Sequence, residues 1–100
     1  MKNKQKLEEY KKEVINIFSQ VEGDKNLMRE LLIDILTPKE LEEVALRWQI
    51  IKRLNKGEKH RDIAGELGIG ISTVTRGSRE LRNKKGGFAL ILQRLINKSY

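Results

Sequence analysis

The sequence predicts an all-α fold of six helices that includes a helix-turn-helix, and three observations carry that reading. Apolar residues recur at the three-to-four spacing of a helix face through most of the 100 residues, and no strand is needed. Thr37-Pro38-Lys39-Glu40 has the chemistry of a helix start: a hydroxyl at the N-cap, a proline at the first position where no N–H is required, and a glutamate placed to reach back. The stretch from Lys59 to Leu81, KHRDIAGELGIGISTVTRGSREL, reads as helix, tight turn, helix.

The first helix is expected over about Lys4 to Val21. Leu7, Tyr10, Val14, Ile17, Phe18 and Val21 form its apolar stripe, Lys and Glu fill the other positions, and Gly23 ends it. Asp24 or Asn26 can cap a second helix. Its Leu27, Met28, Leu31, Leu32, Ile35 and Leu36 make an apolar face wider than one packing partner requires. The third helix starts at the Thr37 signature and runs to about Lys56, with Leu41, Val44, Ala45, Trp48, Ile51 and Leu54 on its buried stripe and Gly57 terminating it. Trp48 shares that stripe and reads as a core anchor rather than a ligand-stacking ring.

The motif helices are expected over about Arg61 to Leu67 and Ile71 to Asn83, within a helix-turn-helix spanning about residues 59–82. Small Ala64 suits a close helix crossing, Gly68 supplies the left-handed residue of the turn, and Ile69 and Val74 tuck beneath. Lys84-Lys85-Gly86-Gly87 then breaks the chain before a last helix with Phe88, Ile91, Leu92, Leu95 and Ile96.

One hundred residues suit a single domain over 1–100, and 35% charged with 38% hydrophobic residues is the composition of a globular protein. No apolar run reaches the length of a membrane span, and MKNKQKLEEYKKE lacks the apolar centre of a signal peptide, so the expected location is cytoplasmic, with no membrane partner. The absence of cysteine excludes disulfides, thiolate metal sites and cysteine nucleophiles. His60 has no second histidine nearby, and no metal site is expected. No nucleophile is paired with a base and no nucleotide loop is present, so the chain does not read as an enzyme; Gly68 and Gly70 make a turn.

Charge is distributed unevenly. Residues 1–45 carry 8 Lys/Arg and 10 Asp/Glu, whereas residues 46–100 carry 13 and 4. Basic charge therefore gathers in the half that holds the helix-turn-helix, as a polyanion-binding surface requires. Arg76, Arg79 and Arg82 recur every three residues on the second motif helix, which an ordinary packed hairpin would not need. At the N-terminal part of that helix Ile71 can meet a thymine methyl, and Ser72, Thr73 and Thr75 can reach base edges directly or through water. Gly70 and the helix N–H groups suit a phosphate, and Arg61, Arg79, Arg82 and Lys84 can make further backbone contacts. The apolar faces of the first two helices and the last one exceed what a chain this short can cover, which points to a homodimer.

Leu36-Thr37-Pro38, Arg47, Gly57-Glu58, Glu66-Leu67-Gly68, Gly70-Ile71 and above all Thr75-Arg76-Gly77-Ser78 resemble the bacterial tryptophan repressor family. The resemblance covers about Ile35 to Arg82 and implies a six-helix, intertwined dimer that binds operator DNA when L-tryptophan is bound. It implies that an indole lies between Arg47 and Arg76, that Arg76 also holds the ligand carboxylate, and that Thr37 lines the same pocket. It further implies that Gly77 leaves room for the ring and that the Leu36 carbonyl faces the ammonium. A planar guanidinium suits both stacking and carboxylate pairing. Such a ligand would hold two recognition helices one DNA turn apart, about 34 Å.

Two positions differ from the family pattern. The loop between Gly57 and Gly68 looks one residue shorter than in the enterobacterial member of the family, and Glu80 stands where the family has a serine facing the ammonium. The Glu80 carboxylate can pair with that ammonium or can fill the site. The expected function is a sequence-specific transcriptional repressor gated by a corepressor, L-tryptophan or a related amino acid, with no other cofactor. The alternatives are an effector-independent DNA-binding regulator and a basic helical module that binds RNA or protein.

Overall fold

The computed structural model describes residues 3–98, and among these it contains six α-helices and no strand. They are α1 (Lys4–Gln20), α2 (Lys25–Ile35), α3 (Pro38–Asn55), α4 (His60–Leu67), α5 (Ile71–Arg82) and α6 (Gly87–Lys98). The all-α class and the helix order are those the sequence predicts. The chain divides into two parts, residues 1–41 and 42–100.

In residues 1–41 the helix ends are set by local side chains. The Asn3 carboxamide accepts from the N–H of Gln5 at 2.9 Å and caps α1. Gly23 turns the chain at φ +82°, which only glycine adopts without strain. Of the two expected caps for α2 it is Asp24 that serves, its carboxylate accepting from the N–H of Leu27 at 3.0 Å. The start of α3 forms the reciprocal box the sequence predicts. Thr37 Oγ1 accepts from the Glu40 N–H at 3.1 Å, and Glu40 Oε1 accepts from the Thr37 N–H at 2.8 Å. The backbone bond from Thr37, helped by its hydroxyl, holds the Glu40 carboxyl below its ordinary value.

Packing in this part is thin. Val21 is its one buried residue among those described, while Tyr10, Val14, Ile17, Leu27, Ile33 and Ile35 are all more than two fifths exposed. Val21, Met28, Leu32 and Leu41 line an open apolar hollow of about 520 Å³.

Residues 42–100 carry a core of their own. Ile50, Ile63, Ala64 and Val74 form a buried cluster, with Leu54, Leu67 and Ile69 packed around it. Burial of a side chain such as Ile63 or Val74, both wholly excluded from solvent, contributes roughly 1.5–3 kcal/mol. Gly57, at φ +86°, ends α3 by donating to the Leu54 carbonyl at 2.9 Å while Glu58 donates to that of Arg53 at 3.2 Å. Gly68, at φ +66°, makes the turn between α4 and α5, and the next residue, Ile69, donates to the Ala64 carbonyl at 3.1 Å.

The expected buried stripe of α3 needs correction. Val44 and Ala45 are exposed and Trp48 is half-buried; Ile51 is buried as expected, and Ile50, one position off the stripe, is buried beside it. The reason lies in where the covering helix sits: Gly77 of α5 lies against Ile50, Ile51 and Leu54, in the last turns of α3. Burial follows that approach rather than the centre of the apolar stripe.

Candidate functional site

The N-terminal turn of α5 is built to stand open. Gly70 is its N-cap, with no side chain to satisfy the first N–H groups, and the Thr73 N–H reaches the Gly70 carbonyl at 3.1 Å. Ile71 is 55% exposed, and Ser72, Thr73 and Thr75 are exposed beside it. The Thr75 hydroxyl donates to the Ile71 carbonyl at 3.1 Å, so its hydrogen is spent on its own helix and its oxygen is left to accept. Arg61, Arg79, Arg82 and Lys84 are all exposed.

Beside this turn lies a cavity of about 360 Å³, within the usual range for small-molecule sites. Its apolar wall is Ile50, Ile51, Gly77 and Phe88; its polar wall is Arg47, Ser72, Thr73, Arg76, Arg79 and Glu80. Of the six residues that the sequence offers as ligand contacts, Arg47, Arg76, Gly77 and Glu80 are thus brought together. Leu36 and Thr37 belong to residues 1–41, where Leu36 is the C-cap of α2 and Thr37 the N-cap in the box with Glu40.

Two details of the cavity go beyond the sequence reading. Arg76 and Glu80, one turn apart on α5, form an ion pair with Nε and Oε1 3.5 Å apart. A Cβ on Gly77 would stand 2.9 Å from Ile50 Cγ2, so the absent side chain allows α5 to approach α3 as well as bordering the cavity. Arg79, expected only to meet phosphates, also lines the cavity, as do Ser72 and Thr73.

Ile50 and Phe88 were not legible as wall residues, since Ile50 falls one position off the α3 stripe and Phe88 follows a glycine break. A second centre was also missed. Arg53 of α3 pairs through Nη1 with Glu58 Oε1 at 3.6 Å and with Glu66 Oε2 of α4, while its Nε is buried without a partner. The signal was the scarcity of acids: of the four in residues 46–100, three are held by arginines. Among the described residues no cluster of His, Cys, Asp or Glu is arranged to hold a metal, and no helix is long and apolar enough to cross a membrane.

Comparison with known proteins gives a consistent result. The family model described as Trp repressor protein matches residues 10–96. A Trp operon repressor homolog of Vibrio campbellii is 46% identical over 61 residues, covering 59% of this chain and 61% of the relative. The homolog of Vibrio parahaemolyticus is 47% identical over 55 residues, 54% of this chain and 53% of the relative. That of Vibrio cholerae is 39% identical over 67 residues, 66% and 65%. The chain thus spans between half and two thirds of the length of these relatives. With the family model matched across most of its residues, the chain belongs to the Trp repressor family.

Proposed function

We propose that this chain is a transcriptional repressor, not an enzyme, that works as a single 1–100 domain in a homodimer. It binds double-stranded operator DNA and is gated by a corepressor, L-tryptophan or a related amino acid, held among Arg47, Arg76, Gly77 and Glu80. One observation carries the reading: a single cavity is walled by Arg47 of α3 and by Ser72, Thr73 and Arg76 of α5. The residues offered to base edges and those offered to a ligand therefore share a wall. The names of the relatives, Trp operon repressor homologs, point the same way.

The coupling follows from that shared wall. A planar ligand between Arg47 and Arg76 stacks on guanidinium faces and presents its carboxylate to Arg76. Filling the cavity restrains the angle of α5 against α3, and the ligand favours whichever angle it binds more tightly. Ile71, Ser72, Thr73 and Thr75 then meet the major groove, with Arg61, Arg82 and Lys84 on phosphates. The corepressor contributes only the difference in its affinity for the two arrangements.

Calorimetry with L-tryptophan on the full chain, repeated with Arg76→Ala, tests the gate; selection of duplexes from a random pool with and without the ligand tests its consequence. Heat of binding abolished by Arg76→Ala, with duplex enrichment that depends on the ligand, is the expected result. No heat at millimolar ligand, with the same duplexes enriched either way, would establish the second reading, an effector-independent DNA-binding regulator. That reading has its own support, because Glu80 already gives Arg76 an internal counter-ion.

A further inference from the structure

Four acids stand in residues 46–100, and each has a place. Asp62 lies in the first turn of α4, where the helix N–H groups favour a negative charge. Glu80 pairs with Arg76, Oε1 to Nε, at 3.5 Å. Glu58 and Glu66 lie on different segments, one in the turn after α3 and the other in α4, yet both are drawn to Nη1 of Arg53, Glu58 at 3.6 Å. Stability alone gives little reason for an arginine there. Its side chain is 26% exposed and its Nε is buried with no acceptor. An N–H buried unpaired carries a cost that an apolar side chain covering the same surface would not. What the guanidinium adds is a cation that meets two carboxylates at once.

The position of those carboxylates supplies a reason. Glu58 and Glu66 border one open hollow with Lys59, Arg61 and Asp62. Arg61 is exposed and is one of the cations offered to the DNA backbone, and Lys59 is exposed on the same rim. Among the described residues the two glutamates pair with Arg53 and with neither of these cations, although all four line the same hollow. Released from Arg53, they would weaken a phosphate contact in two ways. As anions they repel the phosphate, and as acceptors they compete with it for Arg61 and Lys59.

We infer that Arg53 is a positioning residue for DNA binding, an inference that rests on the chain being a DNA-binding protein. It holds Glu58 and Glu66 to the end of α3 and so leaves Lys59 and Arg61 open to phosphates. Arg53 itself needs no contact with the duplex. Its effect passes through the two acids, so replacing it harms binding only while the acids are present. A bare tie between α3 and α4 behaves otherwise, because its loss persists when the acids are removed. A charge that merely adds to a basic surface behaves differently again, because its effect sums with theirs.

The test is a mutant cycle on the full chain, read by fluorescence anisotropy of a labelled mixed-sequence duplex of about 24 base pairs over a range of salt. It compares wild type, Arg53→Gln, Glu58→Gln with Glu66→Gln, and the variant carrying all three changes, with circular dichroism to confirm the helices. Arg53→Gln is expected to weaken binding about tenfold at low salt and to lower the slope of log affinity against log salt by about one, as one phosphate contact is lost. Removing the acids should change wild type by no more than about threefold, yet return Arg53→Gln to within about twofold of wild type or better. If removing the acids strengthens binding by the same factor in both backgrounds, Arg53 counts only as one more charge and the inference is overturned. A triple variant as weak as Arg53→Gln makes Arg53 a structural tie and overturns it too. Should Arg53→Gln not fold, Arg53→Met, which keeps the apolar stem, takes its place in the cycle; unfolding of both again makes Arg53 a structural tie. All of these outcomes leave DNA binding standing, whereas no binding of the duplex by wild type at the lowest salt removes that reading and the role of Arg53 together.

Discussion

Residues 1–41 and residues 42–100 are both helical, but they solve the burial problem differently. The second part encloses Ile50, Ile51, Ile63, Ala64, Val74 and Leu92 and leaves a formed cavity at its side. The first part carries comparable apolar content on α1 and α2 and encloses only Val21 among its described residues. Apolar side chains at helical spacing guarantee an amphipathic helix; they do not guarantee a partner within the same chain. The part that encloses its core also holds the candidate site, where positions must be kept to within an ångström. The part that does not is the natural candidate for the surface between two copies.

The two parts should differ most at Ile63. Ile63→Ala is expected to cost about 2–5 kcal/mol, because a wholly buried side chain leaves a cavity in a cluster that cannot collapse freely. Ile17→Ser, at a position 49% exposed, should change the stability of the folded monomer by no more than ~0.5 kcal/mol and instead weaken self-association. Denaturant midpoints and sedimentation read the two effects separately. Equal losses of stability without any change in sedimentation would show that α1 is packed within its own chain.

Gly77→Ala is expected to have the next largest effect. The new methyl would stand 2.9 Å from Ile50 Cγ2, a branched methyl beside the backbone that has little freedom to retreat. Overpacking of this kind costs about 1–3 kcal/mol. The separation of α5 from α3 must grow, so calorimetry with L-tryptophan should show weakened binding alongside the lower midpoint. Weakened binding with an unchanged midpoint would make Gly77 a ligand contact alone.

Helix boundaries were legible because each rests on a few adjacent residues: Thr37 with Glu40, Asp24 with Leu27, and the glycines at 57 and 68. The open face of α5, from Ile71 to Thr75, was legible for the same reason. Burial on α3 was legible at Ile51 but not at Ile50, because it depends on where α5 meets the helix, and Ile50 is selected by Gly77 of a distant segment. Arg47 and Arg76 were paired through resemblance, since no periodicity links α3 to α5. The double position of Arg79, exposed yet on the cavity wall, and the Arg53 centre needed the fold, because both depend on which helix faces the side chain.

The smallest effect belongs to Glu40, in the part with little core, where local bonds count for more. Its carboxyl is held below the ordinary value, first by the backbone N–H of Thr37 and then by the Thr37 hydroxyl. A carboxyl lowered in the folded state binds its proton more weakly there than in the unfolded chain, so it adds stability once pH exceeds the unfolded value. That contribution is complete near neutrality and disappears as pH falls through the lowered value. Glu40→Gln keeps an oxygen to accept from Thr37 but has no charge to titrate. Thermal midpoints followed from neutral to strongly acidic buffer should therefore show wild type above Glu40→Gln at neutrality, with the gap closing only in acid. Thr37→Ala, which removes the hydroxyl of the box, costs about 1 kcal/mol. It should also shift the closing of the gap toward higher pH, because the lowered carboxyl then loses one of its two donors. A gap independent of pH would mean that the box is held by its hydrogen bonds alone, and that the charge on Glu40 adds nothing to the start of α3.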